Sequence, residues 1–252
     1  MDPLAAQIQR SLQDVANLRQ QHAVNADLGR AVVAVKRFQS HRFEATYADL
    51  LTSQRYMKAA EFFLHELYSE KDYAERDQQF ARIANTIARL FPQAVLGTAA
   101  AMANVHALTE ALDDQMARQW LAARQEQSER LDAANYIGAW RAVADAPARY
   151  QQLEVVMNLG SELNSLTRKP GLRTLLKLMR RPAAVAGLSS LQVFLETGFD
   201  AFANMGGADE FLSIVRQREA QWIRSLFEDE RVACETALKH LMTQNAGNQA
   251  PH

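Results

Sequence analysis

The chain has 252 residues, of which 48% are hydrophobic and 23% are charged, and its formal net charge is −1. This length and composition fit a globular protein with a sizeable core, and the near-zero charge excludes a global electrostatic attraction to nucleic acid or membranes. The single cysteine, Cys234, excludes an internal disulfide.

Signals for export or membrane insertion are not found in the sequence. The N-terminus has no basic start followed by an apolar run, so we expect no secretory signal. The most apolar stretch, AVLGTAAAMANV at 94–105, is shorter than the roughly 20 apolar residues that a membrane-spanning helix requires. We therefore expect a soluble, cytoplasmic protein without a transmembrane segment.

Apolar side chains recur at steps of three and four residues along most of the chain, which is the spacing of amphipathic helices. Glycine (10) and proline (6) are scarce, so long helices are expected. In chain order, the pattern predicts two amphipathic helical stretches within 3–40, with Asp2 as the N-cap of the first, and then a short helix or turn after Thr46. Further helices are predicted at about 53–68, 72–90, 92–112, 113–131, 132–143 (starting at Asp132), 147–163, 170–181, 189–205 and 209–242.

Two of these helices differ sharply in composition. The Ala-rich helix at 92–112 is expected near the centre, because small side chains let a neighbouring helix approach closely. The segment 113–131 is highly polar, which predicts a separate surface helix. Because no alternating strand pattern occurs, we predict an all-α, bundle-like single domain of about nine to eleven helices over 1–243, with a disordered tail at 244–252.

Motifs for the common chemistries are absent. The sequence has neither GxGxxG nor GxxxxGK for phosphate binding, no GxSxG nucleophile turn, and no Glu-x-x-His pair or HExxH metal motif. We therefore predict no metal and no cofactor. His106 lies in the Ala-rich helix, where it is either a hydrogen-bonded core histidine or, as an alternative, an axial haem ligand.

The segment FFLHELYSEKDYAERDQQF at 62–80 mixes aromatic and charged residues. It has an FFL-x-ELY core followed by an Asp-aromatic pair and an Arg-Asp pair. This motif resembles that of an uncharacterised, mainly proteobacterial, all-helical protein family, to which the segment 178–207 is also similar. In that family a glycine often follows the tyrosine, whereas this chain has Ser69. The resemblance implies a bacterial protein and covers most of the chain beyond the first forty residues, and it implies no function.

Six polar residues in and beside this segment form a predicted polar site. Glu66 or Asp77 is expected to accept hydrogen bonds from Arg76 and so to join two consecutive helices, as a structural latch. Glu61 and His65 are four residues apart and share a helix face, so they form either a surface pair or the acid/base pair of an enzyme. The six residues are Glu61, His65, Glu66, Asp72, Arg76 and Asp77.

A basic stretch follows later in the chain, because residues 163–195 contain no Asp or Glu. Its cations recur at helical spacing opposite a leucine-rich stripe, which predicts a basic amphipathic helix. Such a helix binds an anionic lipid surface, a phosphate-bearing ligand or an acidic partner, and less readily nucleic acid, or it is solvated and paired with acidic residues such as those at 228–230. Contact with an anionic surface would run through 168–181. The stripe consists of Lys169, Arg173, Lys177, Arg180 and Arg181.

Aromatic residues at helical spacing predict an apolar pocket between helices, with a basic mouth at Arg173 and Lys177. The same spacing also fits an ordinary packed core. The candidate lining residues are Phe62, Phe63, Tyr136, Trp140, Phe194 and Phe199.

Three functions remain open from the sequence. The first is a non-enzymatic binding or scaffold protein that contacts a protein partner or forms a homo-oligomer, and it is favoured by the long polar helices and the missing reaction motifs. The second is a carrier or sensor of an apolar or amphipathic small molecule, lipid-like or haem. The third is an enzyme with an acid/base site at Glu61, His65 and Arg76.

Overall fold

A computed structural model describes residues 2–67, 71, 73–90, 93–123 and 131–248. Within these ranges the chain forms thirteen helices and no strand, so the all-α prediction is confirmed and the count lies slightly above the predicted range. The helices are Pro3–Val24 (α1), Ala26–Thr46 (α2), Ala48–Leu51 (α3), Met57–Leu67 (α4), Ala74–Leu90 (α5), Gln93–Ala123 (α6), Ala133–Val143 (α7), Ala146–Thr167 (α8), Leu172–Leu178 (α9), Arg180–Val185 (α10), Ser189–Asn204 (α11), Asp209–Glu228 (α12) and Arg231–Asn248 (α13).

Short polar side chains start several helices. The Asp2 carboxylate accepts a hydrogen bond from the backbone N–H of Leu4 at 2.8 Å, and Asn25 accepts one from the N–H of the third residue of α2. Asp132 and Asp145 cap α7 and α8 in the same way. Such caps satisfy N–H groups that have no partner inside the helix, and Asp2 and Asp132 were predicted as helix starts.

The long helix α6 lies at the centre of the molecule. It packs against α1, α2, α7 and α8, while α11 packs against α4, α5 and α8, and α12 packs against α8. Ala100, Ala103 and Ala117 are buried along α6, and their small side chains allow the surrounding helices to approach closely. The core is therefore one continuous apolar cluster arranged around α6.

The predicted surface helix at 113–131 is wrong. The helix α6 continues without a break to Ala123, and Asp113, Asp114 and Trp120 are buried in it. The two carboxylates are satisfied from α1 and α2, because His22 and Gln39 each bond one of them at 2.9 Å. Residues 124–130 lie outside the described part of the chain.

Two predicted helices are each divided into two. The helix predicted over 209–242 breaks at Asp229, whose backbone is extended and whose carbonyl accepts a hydrogen bond from Arg141. The helix predicted over 170–181 is divided at Met179, and Pro182 lies in the first turn of α10, where a missing N–H costs nothing. The helix α13 ends at Asn248, so its last turn lies in the segment predicted as tail.

None of the described helices is both long enough and apolar enough to cross a membrane.

Candidate functional site

A buried ionic cluster forms around Asp77, in the first turn of α5. The Asp77 carboxylate accepts a hydrogen bond from Arg19 of α1 at 2.8 Å and is 2.9 Å from Nε2 of His106 in α6. Arg76 donates to Glu66 of α4 at 3.2 Å and to Asp77 at 3.2 Å. The cluster therefore joins four helices, α1, α4, α5 and α6, and includes the predicted pairing of Arg76 with Glu66 and Asp77.

The pKa of Asp77 shows that the cluster favours the charged carboxylate. Burial by itself would raise this pKa, but the hydrogen bond and charge of His106, the charge of Arg76 and the hydrogen bond from Arg19 outweigh it. Together they lower the pKa of Asp77 to about 2. Asp77 is thus held as a buried, fully paired anion.

The structure separates the other predicted members of this site. Glu61 and His65 are exposed on α4, and neither side chain belongs to the cluster. Asp72 lies outside the described residues. Arg19 and His106 were not predicted as members, because they are 58 and 29 positions from Asp77 in the chain. Of the two predicted roles of His106, the contact between its Nε2 and Asp77 fits that of a hydrogen-bonded histidine.

A small polar cavity adjoins the cluster. Its volume is about 50 Å³, which suits ordered water, since one water needs about 10–15 Å³ of such volume. Gln39 donates to the Asp113 carboxylate at 2.9 Å, and burial raises the pKa of Asp113 to about 6 in spite of the nearby charge of Lys36. The titratable residues that line this cavity are Lys36, Glu66, Tyr73, Arg76, His106, Glu110 and Asp113.

A larger cavity lies on the far side of Phe194 and has almost entirely apolar walls. Its volume is about 190 Å³. Phe194 lines both this cavity and the polar one, and the guanidinium of Arg76 stacks on its ring at 4.7 Å. The apolar cavity is lined from six helices, α5, α6 and α8 to α11, by residues that include Phe80, Ala99, Met102, Leu163, Leu172, Leu176, Met179, Ala183, Leu191, Leu195 and Phe199.

The six aromatic residues predicted to line one pocket do not meet in one place. Phe194 and Phe199 line the apolar cavity. Phe62 packs against Phe194 with ring centroids 5.6 Å apart, and Phe63 packs against other core rings. Tyr136 and Trp140 form a separate aromatic cluster on α7. The last four are core residues, because side chains from different helices cover them.

The predicted basic stripe covers the outside of the apolar cavity. Leu172 and Leu176 of α9 point into the cavity, whereas Arg173 and Lys177, their neighbours in the chain, are exposed. Arg173 pairs with Asp200 at 3.0 Å, and Arg180 pairs with Glu196 through its Nε at 2.8 Å. These partners belong to α11 rather than to the acidic residues at 228–230.

Four further cations are exposed on or beside α9 and α10. None of the ion pairs among the described residues includes them. These cations are Arg168, Lys169, Lys177 and Arg181. The surface above the apolar cavity therefore keeps a positive charge after the internal pairs are counted.

A family model described as a domain of unknown function (DUF8198) matches residues 18–233. The chain belongs to this family. The expectation of an uncharacterised family is confirmed, and both segments that carry the resemblance, 62–80 and 178–207, lie within the match. No curated protein and no solved structure matches the chain.

The DUF8198 description names no activity, so the functional argument rests on the chemistry of cavities in the fold. The two cavities that meet at Phe194 differ in that chemistry. In the polar cavity, charged side chains of opposite sign pair with one another in a volume of water size. The apolar cavity has space without a filling side chain and a charged surface above it. The second arrangement is the one suited to a ligand.

Proposed function

We propose that the protein binds a small amphipathic anion, as a carrier or sensor. The apolar part of the ligand occupies the cavity between α5, α6, α8, α9, α10 and α11, and its anionic group lies at the basic surface above. The observation that carries this proposal is the apolar cavity of about 190 Å³ beneath a basic surface. An empty apolar cavity of this size costs stability, which a bound apolar group would recover.

The cavity volume sets the size of the ligand. It exceeds the roughly 150 Å³ that accommodates a benzene ring and is smaller than the roughly 300 Å³ at which pockets for drug-sized molecules begin. A medium-length acyl chain or a single substituted ring fits this range. Haem, the larger molecule considered from the sequence, exceeds it.

The surface above the cavity selects the charge of the ligand. Leu195 lines the cavity and is still 39% exposed, which marks where the cavity approaches solvent. Lys177 and Arg181 are exposed on the helices that cover this side. Because a carboxylate or phosphate at this surface stays hydrated, the cations need only attract it and do not have to be desolvated.

The remaining predicted functions are less well supported. A scaffold role with a protein partner or a homo-oligomer stays a prediction, as does a cytoplasmic location. For an enzyme, the predicted acid/base pair of Glu61 and His65 is exposed and apart from both cavities. The bacterial origin of the chain also stays a prediction, as does the FFL-x-ELY motif of the family.

A chain-length series of saturated carboxylic acids tests the proposal. Calorimetric titration should show affinity rising about fourfold per added CH₂, because each buried CH₂ contributes about 0.8 kcal/mol, and then levelling off when the cavity is full. The methyl esters should bind more weakly than the acids, since they lack the charge that the basic surface attracts.

A cavity-filling variant supplies the specific control. Ala99→Phe places a ring in the cavity and should abolish binding, whereas Ala203→Phe on the exposed side of α11 should leave binding intact. Melting curves should confirm that both variants fold, and Ala99→Leu serves if the larger ring does not fit. Absence of binding by every acid, or equal binding by Ala99→Phe, would contradict the proposal.

A further inference from the structure

The helices that cover the apolar cavity also expose aliphatic side chains to solvent. Leu178 is 69% exposed, Val185 is 92% exposed and Val193 is 64% exposed. They lie in the consecutive helices α9, α10 and α11, which pack on one another. Isolated exposed apolar residues are ordinary on a protein surface, but several in one region indicate a surface that contacts an apolar medium.

The helix α9 is apolar on two sides. Leu172 and Leu176 line the cavity, while Leu175 and Leu178 are exposed to solvent. None of its residues is fully buried. A short helix that covers a globular core needs only one apolar side, so the exposed leucines are not explained by the fold.

Exposed cations occur in the same segment of the chain as these aliphatic side chains. Arg168, Lys169, Lys177 and Arg181 are exposed there, outside the ion pairs among the described residues. The net charge of the whole chain is −1, so the positive charge is a local property of this region. Aliphatic residues interleaved with Lys and Arg are the pattern that interfacial helices present to anionic lipids.

We propose that this region, called here the α9–α11 face and consisting of the exposed residues of 168–195, docks on the surface of an anionic lipid bilayer. Its cations contact lipid headgroups, and Leu175, Leu178 and Val185 enter the boundary between headgroups and acyl chains. The fold remains outside the bilayer, since the interaction is with the interface only.

The charge and the apolar side chains together favour a bilayer over other anionic partners. The phosphates of a nucleic acid would bind the cations, but exposed aliphatic side chains would add little to that binding, since base stacking requires aromatic rings. The α9–α11 face also covers the apolar cavity, so docking would bring the cavity next to a reservoir of amphipathic molecules. Only this last point rests on the proposed function; bilayer docking itself does not.

Co-sedimentation with lipid vesicles tests the docking proposal. The full chain should bind phosphatidylcholine vesicles that contain phosphatidylglycerol, bind pure phosphatidylcholine vesicles much more weakly, and lose affinity as salt is raised. Lys177→Gln/Arg181→Gln should lower the affinity roughly 10- to 30-fold, because each cation near an anionic surface contributes about 1 kcal/mol. The matched control, Arg10→Gln/Arg224→Gln, removes two exposed cations elsewhere and should leave the affinity unchanged.

A second pair of double variants tests the aliphatic part of the α9–α11 face. Leu178→Asp/Val185→Asp should lower vesicle binding at least tenfold, whereas Val24→Asp/Val232→Asp, at exposed valines of α1 and α13, should not. Equal binding by the two double variants, equal binding to neutral vesicles, or no vesicle binding would overturn the proposal. Binding of DNA or an acidic polypeptide in place of vesicles would also overturn it and would name the alternative partner.

The two proposals fail separately. Ala99→Phe fills the cavity without altering the α9–α11 face, so it should still bind anionic vesicles. If the acids do not bind but the vesicles do, the cavity proposal alone is wrong. If the acids bind and the vesicles do not, the docking proposal alone is wrong.

Discussion

At the scale of single residues, two buried aspartates have opposite electrostatic environments. Asp77 is paired with Arg19, Arg76 and His106, and its pKa is lowered to about 2. Asp113 accepts a hydrogen bond from neutral Gln39, and burial raises its pKa to about 6. Asp77 therefore stabilises the fold as an anion, while Asp113 stabilises it best when protonated.

The first prediction concerns Asp113→Asn. In the wild type the folded state holds the Asp113 proton up to about pH 6, whereas the unfolded state releases it near pH 3.8. The free energy of unfolding therefore falls between pH 4 and pH 6 by up to about 3 kcal/mol from this group alone. Asparagine keeps the size and the acceptor for Gln39 but cannot ionise, so the variant should gain stability relative to wild type as pH rises.

Urea unfolding at pH 4, 5, 6 and 7 measures this difference. The free energy of unfolding of Asp113→Asn minus that of wild type should increase across the series and stay level above pH 7. Asp77→Asn is the control whose difference from wild type should stay nearly level over this series, because lowering the pKa of Asp77 from 3.8 to about 2 makes its contribution depend on pH only below about pH 4. A difference for Asp113→Asn that does not change with pH would show that Asp113 is ionised normally in the fold.

The second prediction concerns the Arg76 latch. Arg76→Ala removes one of the cations paired with Glu66 and one of those paired with Asp77, and it removes the stacking on Phe194. The loss should be about 2–4 kcal/mol, less than for a fully buried pair because the side chains are slightly exposed. Calorimetry should show a fall in melting temperature of roughly 5–10 °C.

Arg10→Ala is the matched control for the latch, since Arg10 is exposed on α1. It should change the melting temperature by no more than about 2 °C. Equal melting temperatures for Arg76→Ala and Arg10→Ala would refute the latch. A double-mutant cycle with Glu66→Gln isolates the pair itself, with an expected coupling of about 0.5–3 kcal/mol.

The residues of the ionic cluster could be only partly predicted from sequence. Glu66, Arg76 and Asp77 lie within eleven positions of one another, so consecutive helices bring them together. Arg19 and His106 join only because α1 and α6 pack beside α5, which local patterns do not encode. Glu61 and His65 are exposed, which fits the surface pair that the sequence offered as one of two alternatives.

At the scale of helices, two glycines allow neighbouring helices to approach each other closely. A Cβ at Gly198 of α11 would lie 2.8 Å from the Phe62 ring of α4, and one at Gly160 of α8 would lie 2.4 Å from a Leu212 methyl group of α12. The rigid ring of Phe62 has less freedom to move than the leucine methyl. The packing of α4 on α11 therefore depends on the absence of a side chain at Gly198.

The third prediction compares two Gly→Ala substitutions. Gly198→Ala should destabilise the fold by about 1–3 kcal/mol, because the Phe62 ring has to shift within a packed core. Gly97→Ala, on α6 with open space around it, should stabilise the fold by about 0.5–1 kcal/mol, since alanine favours the helix. Chemical denaturation measures both, and effects of the same sign would contradict the packing described here.

The helices themselves were largely predictable, whereas some of their ends were not. Periodic apolar residues identified α1, α2 and α11, and the caps at Asp2 and Asp132 marked starts. Polar residues in the second half of α6 suggested a surface helix because their partners, such as His22 and Gln39, are distant in the chain. The break at Asp229 has no glycine or proline. There Arg141 from α7 donates a hydrogen bond to the Asp229 carbonyl, and the Glu230 carboxylate accepts one from the N–H of Ala233 in α13.

At the scale of the whole molecule, the apolar cavity arises where short helices cover long ones. The helices α9 and α10 are seven and six residues long, and they close one side of the bundle over α5, α6, α8 and α11. Short helices bury less side-chain surface than long ones, so the space beneath them is not filled. Phe194 and Phe199 were predicted from the sequence as lining residues, but the six-helix lining required the three-dimensional arrangement. The basic mouth at Arg173 and Lys177 stays a prediction.

The helix α9 lines the cavity on its inner side and belongs to the α9–α11 face on its outer side. Leu172 and Leu176 face inward, and Lys177 and Leu178 face outward. A ligand that entered at Leu195 would therefore pass the surface that we propose to dock on anionic lipid. Acid binding and vesicle binding should then be coupled, with vesicles supplying or accepting the ligand.

Methyl NMR of the methionines tests ligand binding in the cavity most directly. Met102 and Met179 line the cavity, Met116 is buried elsewhere and Met57 is exposed on α4. Decanoate, added below the concentration at which it forms micelles, should shift the ¹³C-methyl signals of Met102 and Met179 in the wild type and leave those of Met57 and Met116 in place. Unchanged Met102 and Met179 signals at saturating decanoate, or the same shifts in Ala99→Phe, would contradict the central claim that this cavity binds an amphipathic anion.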